Sequence, residues 1–171
     1  TVTTPGTTAG CDTWDPDNIV HETDASGGTG GTINYLWEKS TDGGSSWVTA
    51  GGNTATSNNP SAISVATIFR RGASRCATAS VDGSEQYTSS VSFTVSTSPN
   101  AGTLSGNTAQ NIGSQVQFTT DGDAGGTWSS DNASAATVNS STGVVTAAGI
   151  GDAVITYTKS AAPCSDATTT R

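Results

Sequence analysis

The sequence predicts an all-β protein built from two tandem β-sandwiches. Three observations carry this. Apolar and polar residues alternate with a period of two in short runs. These runs recur roughly every ten residues, separated by clusters of Gly, Pro, Asn and Asp. No stretch keeps the 3.6-residue apolar stripe of a helix. A chain of 171 residues holds one large domain or two small ones. The polar stretch Ser98-Pro-Asn-Ala-Gly102 reads as a linker, giving units 1–97 and 98–171.

The first unit opens with Thr1-Val2-Thr3-Thr4, a β-prone fragment closed by the turn signal Pro5-Gly6. Cys11 to Asn18 is a turn-rich loop, and Ile19 to Thr23 a strand. After the Gly-rich turn at 26–31, Thr32 to Lys39 is the best strand of this half, with Ile33, Tyr35 and Trp37 on one face. Thr41 to Ser46 is a hairpin turn from which Trp47 and Val48 return. Asn53 to Pro60 is polar loop, Ile63 to Ala73 a β-rich run, and Tyr87 to Val95 closes the unit. In the second unit, strands are expected at Gln115–Thr119, Gly125–Asn132, Ala136–Asn139 and Val144–Ala147, the last two flanking the hairpin turn Ser140–Gly143. Ala153 to Thr158 alternates and Pro163-Cys164 marks a turn. Asp166-Ala-Thr-Thr-Thr-Arg171 then begins another β-prone run.

That last run stops as soon as it starts. Written end to end with a second copy, Asp166, Ala167, Thr168, Thr169, Thr170 and Arg171 continue into Thr1, Val2, Thr3 and Thr4 as one strand of ordinary length. The expectation is a period of something longer, with an inter-repeat strand and a second sandwich lacking its full last strand. A strand from the adjacent repeat or subunit would then cover an otherwise open edge. The first residue is not Met, in keeping with a processed chain or a fragment.

Composition narrows the function classes. Charged residues are 12%, about half the usual share, while four Trp and the alternating apolar positions argue for packed sheets over disorder. A net charge of −8 with six Lys and Arg disfavours nucleic acid and anionic membrane surfaces. No apolar run is long enough to span a bilayer. Three cysteines, no Met and a Thr/Ser/Asn-rich surface fit an extracytoplasmic protein, where a disulfide persists, and an odd cysteine count leaves at least one thiol unpaired within the chain.

Ala101-Gly-Thr-Leu-Ser-Gly106, Gly126-Thr-Trp-Ser-Ser-Asp-Asn132, Ala136-Thr-Val-Asn-Ser-Ser-Thr-Gly-Val-Val-Thr146 and Gly151-Asp-Ala-Val-Ile-Thr-Tyr-Thr158 together resemble a bacterial Ig-like domain of the group-2 kind. The first half carries Tyr35-Leu-Trp-Glu-Lys-Ser-Thr-Asp-Gly-Gly-Ser-Ser-Trp47 and Phe69-Arg-Arg71. It resembles the Ig/PKD-like repeats found beside such domains in giant surface proteins of Bacteroidota, such as the SprB-like gliding adhesins exported by the type IX system. The resemblance implies tandem Ig-like sandwiches serving as stalks of cell-surface adhesins, with no catalytic residues. It also implies that the family cysteine partner of Cys164 falls at Asn111, leaving Cys164 a free or intersubunit thiol. Cys11 and Cys76 are then the expected bridge of the first unit, contributing about 4 kcal/mol in the chain-entropy model.

Each candidate site has a plainer structural reading. Trp37 and Trp128 sit on central strands and are expected in the cores, whereas Trp14 and Trp47 lie nearer loops and could stack on sugar rings. These two underlie the alternative of a carbohydrate-binding module in a secreted protein. Asp12, Asp15, Asp17 and Asn18, and separately Asp121 and Asp123, gather oxygens that suit calcium, although neither cluster has the EF-hand spacing; Asx turns are the plain reading. No other cofactor is implied. His21 lacks a strained nucleophile turn nearby, so no acid/base constellation suggests an enzyme. Arg70 and Arg71 read as a solvated strand end or as partners for the chain's own acids.

Overall fold

The computed structural model describes residues 2, 5–20, 22–24, 26, 33–50, 57–74 and 86–171. Among them there is no helix; all regular structure is β, arranged in two compact units, Thr1–Ser96 and Thr97–Arg171.

In the first unit the strands are β1 (Ala9–Cys11), β2 (Ile19–Val20), β3 (Asn34–Ser40), β4 (Val48–Thr49), β5 (Ser57–Asn58), β6 (Thr67–Ser74), β7 (Gln86–Tyr87) and β8 (Val91–Ser96). Its main sheet runs β1-β8-β6-β3-β4 with β7 also on β6, and β2 pairs with β5. The centre is the β3–β6 ladder, where Trp37 faces Arg71 and Glu38 faces Arg70. Period-two alternation sends Trp37, Phe69, Val91 and Phe93 to one face, which is buried with Ile19, Ile63 and Val2. Phe93 is the hub, 5.5 Å from Trp14 and 5.7 Å from Phe69 between ring centroids, the latter edge to face. The expected strand at 19–23 shortens to Ile19–Val20, and the run from Ile63 starts as a strand only at Thr67 because Ile63 makes an isolated bridge to Trp14.

The second unit contains β9 (Leu104–Ser105), β10 (Gln115–Gln117), β11 (Thr119–Thr120), β12 (Thr127–Ser130), β13 (Ala136–Val138), β14 (Val144–Ala147), β15 (Ile155–Ala161) and β16 (Cys164–Thr170). They form the sheets β10-β14-β13 and β12-β15-β16 and the pair β11-β9. Trp128 lies opposite Tyr157, with ring centroids 4.7 Å apart, over Leu104, Phe118, Val145 and Ile155. The Tyr157 hydroxyl closes the top of this core, donating to Asp123 O at 2.5 Å and accepting from Gly126 N at 2.8 Å. The Ser140–Gly143 turn is held by Asn139 Oδ1, which accepts the N–H groups of Ser141 and Thr142 at 3.1 and 3.0 Å. Gly143 has φ +75°, and a Cβ there would come 2.8 Å from Phe118 O and from Trp128 Cε2, so glycine is required twice over.

The closing run is a full seven-residue strand. β16 lies antiparallel to β15, and Arg171 extends the ladder by exchanging both main-chain bonds with Ile155 at 2.9 Å each. At the other terminus Val2 is 8% exposed and packs in the first unit's own core, while Thr1, Thr3 and Thr4 lie outside the described residues.

Candidate functional site

Three constructions concentrate the polar chemistry, beginning with the Ser40–Trp47 turn. Asp42 is its organiser: the carboxylate accepts from Ser46 Oγ at 2.5 Å, Ser46 N at 2.9 Å and Ser40 Oγ at 2.7 Å. These bonds, led by the Ser46 hydroxyl, hold the Asp42 carboxyl well below the usual aspartate range. Gly43 and Gly44 take φ of +73° and +93°, which lets Gly44 N reach Ser40 Oγ at 2.8 Å and Gly44 O receive Trp47 Nε1 at 3.0 Å. The spacing Ser-x-Asp-x-Gly-x-Ser-Trp was readable in the sequence as one unit. Taken only as a hairpin turn, it hid the role of Asp42.

Next to this turn, Arg70 is clamped. Its guanidinium lies 3.8 Å from the Trp47 ring centroid and 3.6 Å from that of Tyr87, and Nε donates to Glu38 Oε2 at 2.7 Å. The β3–β6 register supplies the pairing by setting Glu38 opposite Arg70. The Glu38 side chain is fully buried, and Oε1 has no hydrogen-bond partner. Arg71 points to the opposite face, the core side. It is 2% exposed, stacks 3.8 Å from the Tyr35 centroid, and donates Nη2 to Asp24 at 3.2 Å. The two arginines are thus partners for the chain's own acids, and the reading of a solvated strand end is corrected. Opposite faces of one strand, each supplied with an acid and aromatics, hold them in.

This geometry bears on the sugar-stacking candidates. Trp47 has one face under Arg70, and Trp14 packs on Phe93, filling the space beside Gly10. Trp37 is 1% and Trp128 8% exposed. His21 lies outside the described residues.

The calcium candidates separate. Asp15 and Asp17 are exposed on the loop after Trp14. Asp121 and Asp123 instead tie down residues 100–103: Asp121 Oδ1 accepts Thr103 N at 2.6 Å, and Asp123 Oδ2 accepts Asn100 N at 2.8 Å. Among the described residues no three His, Cys, Asp or Glu side chains group as a metal site.

The disulfide expectation is corrected. Cys11 and Cys164 are each disulfide-bonded, so Cys164 is not a free thiol. Cys76 itself lies outside the described residues. Three cysteines allow three pairings, and linear order selects none of them.

The third construction is the outer side of β16, which is the end strand of its sheet. On the solvent face of that sheet the registers line up Thr127, Thr158 and Thr168 in one row and Ser129, Thr156 and Thr170 in the next.

Comparison with known families divides the chain much as its folding does. Residues 1–97 match the model of a domain of unknown function (DUF8696). The chain belongs to that family. Residues 91–168 match the bacterial Ig-like domain (group 2). The second unit is accordingly an Ig-like β-sandwich, as its paired sheets around Trp128 and Tyr157 indicate. No curated protein matches the chain.

Proposed function

We propose that this chain is a structural repeat of an extracellular, cell-surface filament or adhesin stalk, propagated head to tail by strand continuity or by donor-strand complementation, and that it is not an enzyme. The observation that carries the reading is the direction of force through the second unit. Asp121 and Asp123 hold Thr103 and Asn100, and the carbonyls of Asp123 and Ala124 receive Tyr157 and Lys159 toward the end where β16 begins, whereas the Arg171 main chain pairs with Ile155 at the start of β15. Tension entering at one end and leaving at the other loads β16 parallel to its own axis. The bonds to β15 at Ala167, Thr169 and Arg171 then share the load instead of opening one at a time. A stalk module is built to be pulled in that way.

Further support comes from the group-2 Ig-like match, the disulfide-bonded Cys11 and Cys164, and the low charge. Neighbouring identical repeats or subunits are the partners this reading requires, with a glycan or surface ligand engaged elsewhere on the assembly. It requires no cofactor, and calcium titration followed by thermal melting checks that point. The carbohydrate-module reading has less support, since Trp14 and Trp47 are covered by Phe93 and Arg70.

Single-molecule pulling through the chain termini, with the disulfide reduced, tests the proposal. A stalk module extends elastically and unfolds the second unit at a force well above that needed when the same unit is pulled through the β15–β16 turn at Pro163. Equal forces in the two directions would refute the stalk reading. The intact mass of the native polypeptide under reducing, denaturing conditions then decides between covalent continuity (a mass far above 16.9 kDa) and exchanged strands (a mass near it).

A further inference from the structure

We draw no further inference here: the strongest candidate, the cleft of about 200 Å³ in the second unit lined by Phe118, Val145, Ile155 and Arg171, carries nothing because no feature of the structure shows what covers it.

Discussion

Replacing Arg70 by alanine tests the construction that holds the first unit's outer sheet face. Glu38 is fully buried and its carboxylate relies on one partner, Arg70 Nε at 2.7 Å, with Oε1 already unpaired. Removing one member of a buried pair leaves an uncompensated charge and costs about 3–5 kcal/mol. The guanidinium also lies against two rings at 3.8 and 3.6 Å, each contact worth about 0.5–2 kcal/mol. Arg70 keeps 23% of its side chain exposed, so solvent screening puts the sum toward the low end, about 3–5 kcal/mol in all. That is a large share of the about 5–15 kcal/mol that holds a domain together. Urea denaturation of the intact chain, followed by tryptophan fluorescence, reads the loss in the transition that reports Trp47. Arg70→Lys keeps the charge but loses the planar stack and should recover only part of it. Pairing Arg70→Leu with Glu38→Leu removes both charges and should cost less than Arg70→Ala alone. A loss below about 1 kcal/mol for Arg70→Ala, or a double variant weaker than the single, would show that Glu38 does not depend on this partner.

The folded-state pKa of Asp42 is depressed, so its contribution to stability is complete above the unfolded value of about 3.9 and drains only as pH falls through the lowered folded value. Its carboxyl carbon should therefore show no NMR titration step near pH 4, and Ser46→Ala should bring the step back toward that range. Gly143→Ala should destabilise the second unit by about 2 kcal/mol or more, from the left-handed φ of +75° together with the close approach to Phe118 O; a thermal melt checks it. Alkylation of the unreduced, denatured chain should label one of the three cysteines, with Cys11 and Cys164 labelled only after reduction. Peptide mapping that finds Cys164 labelled beforehand would overturn the disulfide assignment.

Much of the fold was legible because sheet patterning is local. The alternation around Trp37 and around Trp128 to Tyr157 located both cores, and the turn at Ser140–Gly143 announced its own glycine. What sequence could not supply was pairing. Arg70 and Arg71 look alike in the chain, yet period two sends one to the outer face with Glu38 and the other into the core with Tyr35 and Asp24. Asp121 and Asp123 gather oxygens as a calcium loop would, but only the fold reveals that Thr103 N and Asn100 N occupy them. The cysteines failed for the same reason: a linkage is a fact about space, and three residues in a line do not contain it.

In β16 adjacent residues have opposite duties toward β15, because Arg171 and Ile155 exchange both main-chain bonds and so fix which residues pair. Thr169 donates to and accepts from Tyr157, whereas Thr168 faces Thr158 without main-chain bonds. Proline at 169 removes a ladder bond and strands the Tyr157 carbonyl beside the Trp128 core, costing about 2–4 kcal/mol. Proline at 168 sits on an edge with its missing N–H turned to solvent, one of the few places in a sheet where proline is tolerated. The second unit's melting temperature should therefore fall for Thr169→Pro and hold for Thr168→Pro, and hydrogen exchange should show the Thr169 amide protected and the Thr168 amide fast in the monomer. Equal protection of the two amides would refute the alternation that the Arg171–Ile155 pair sets along β16.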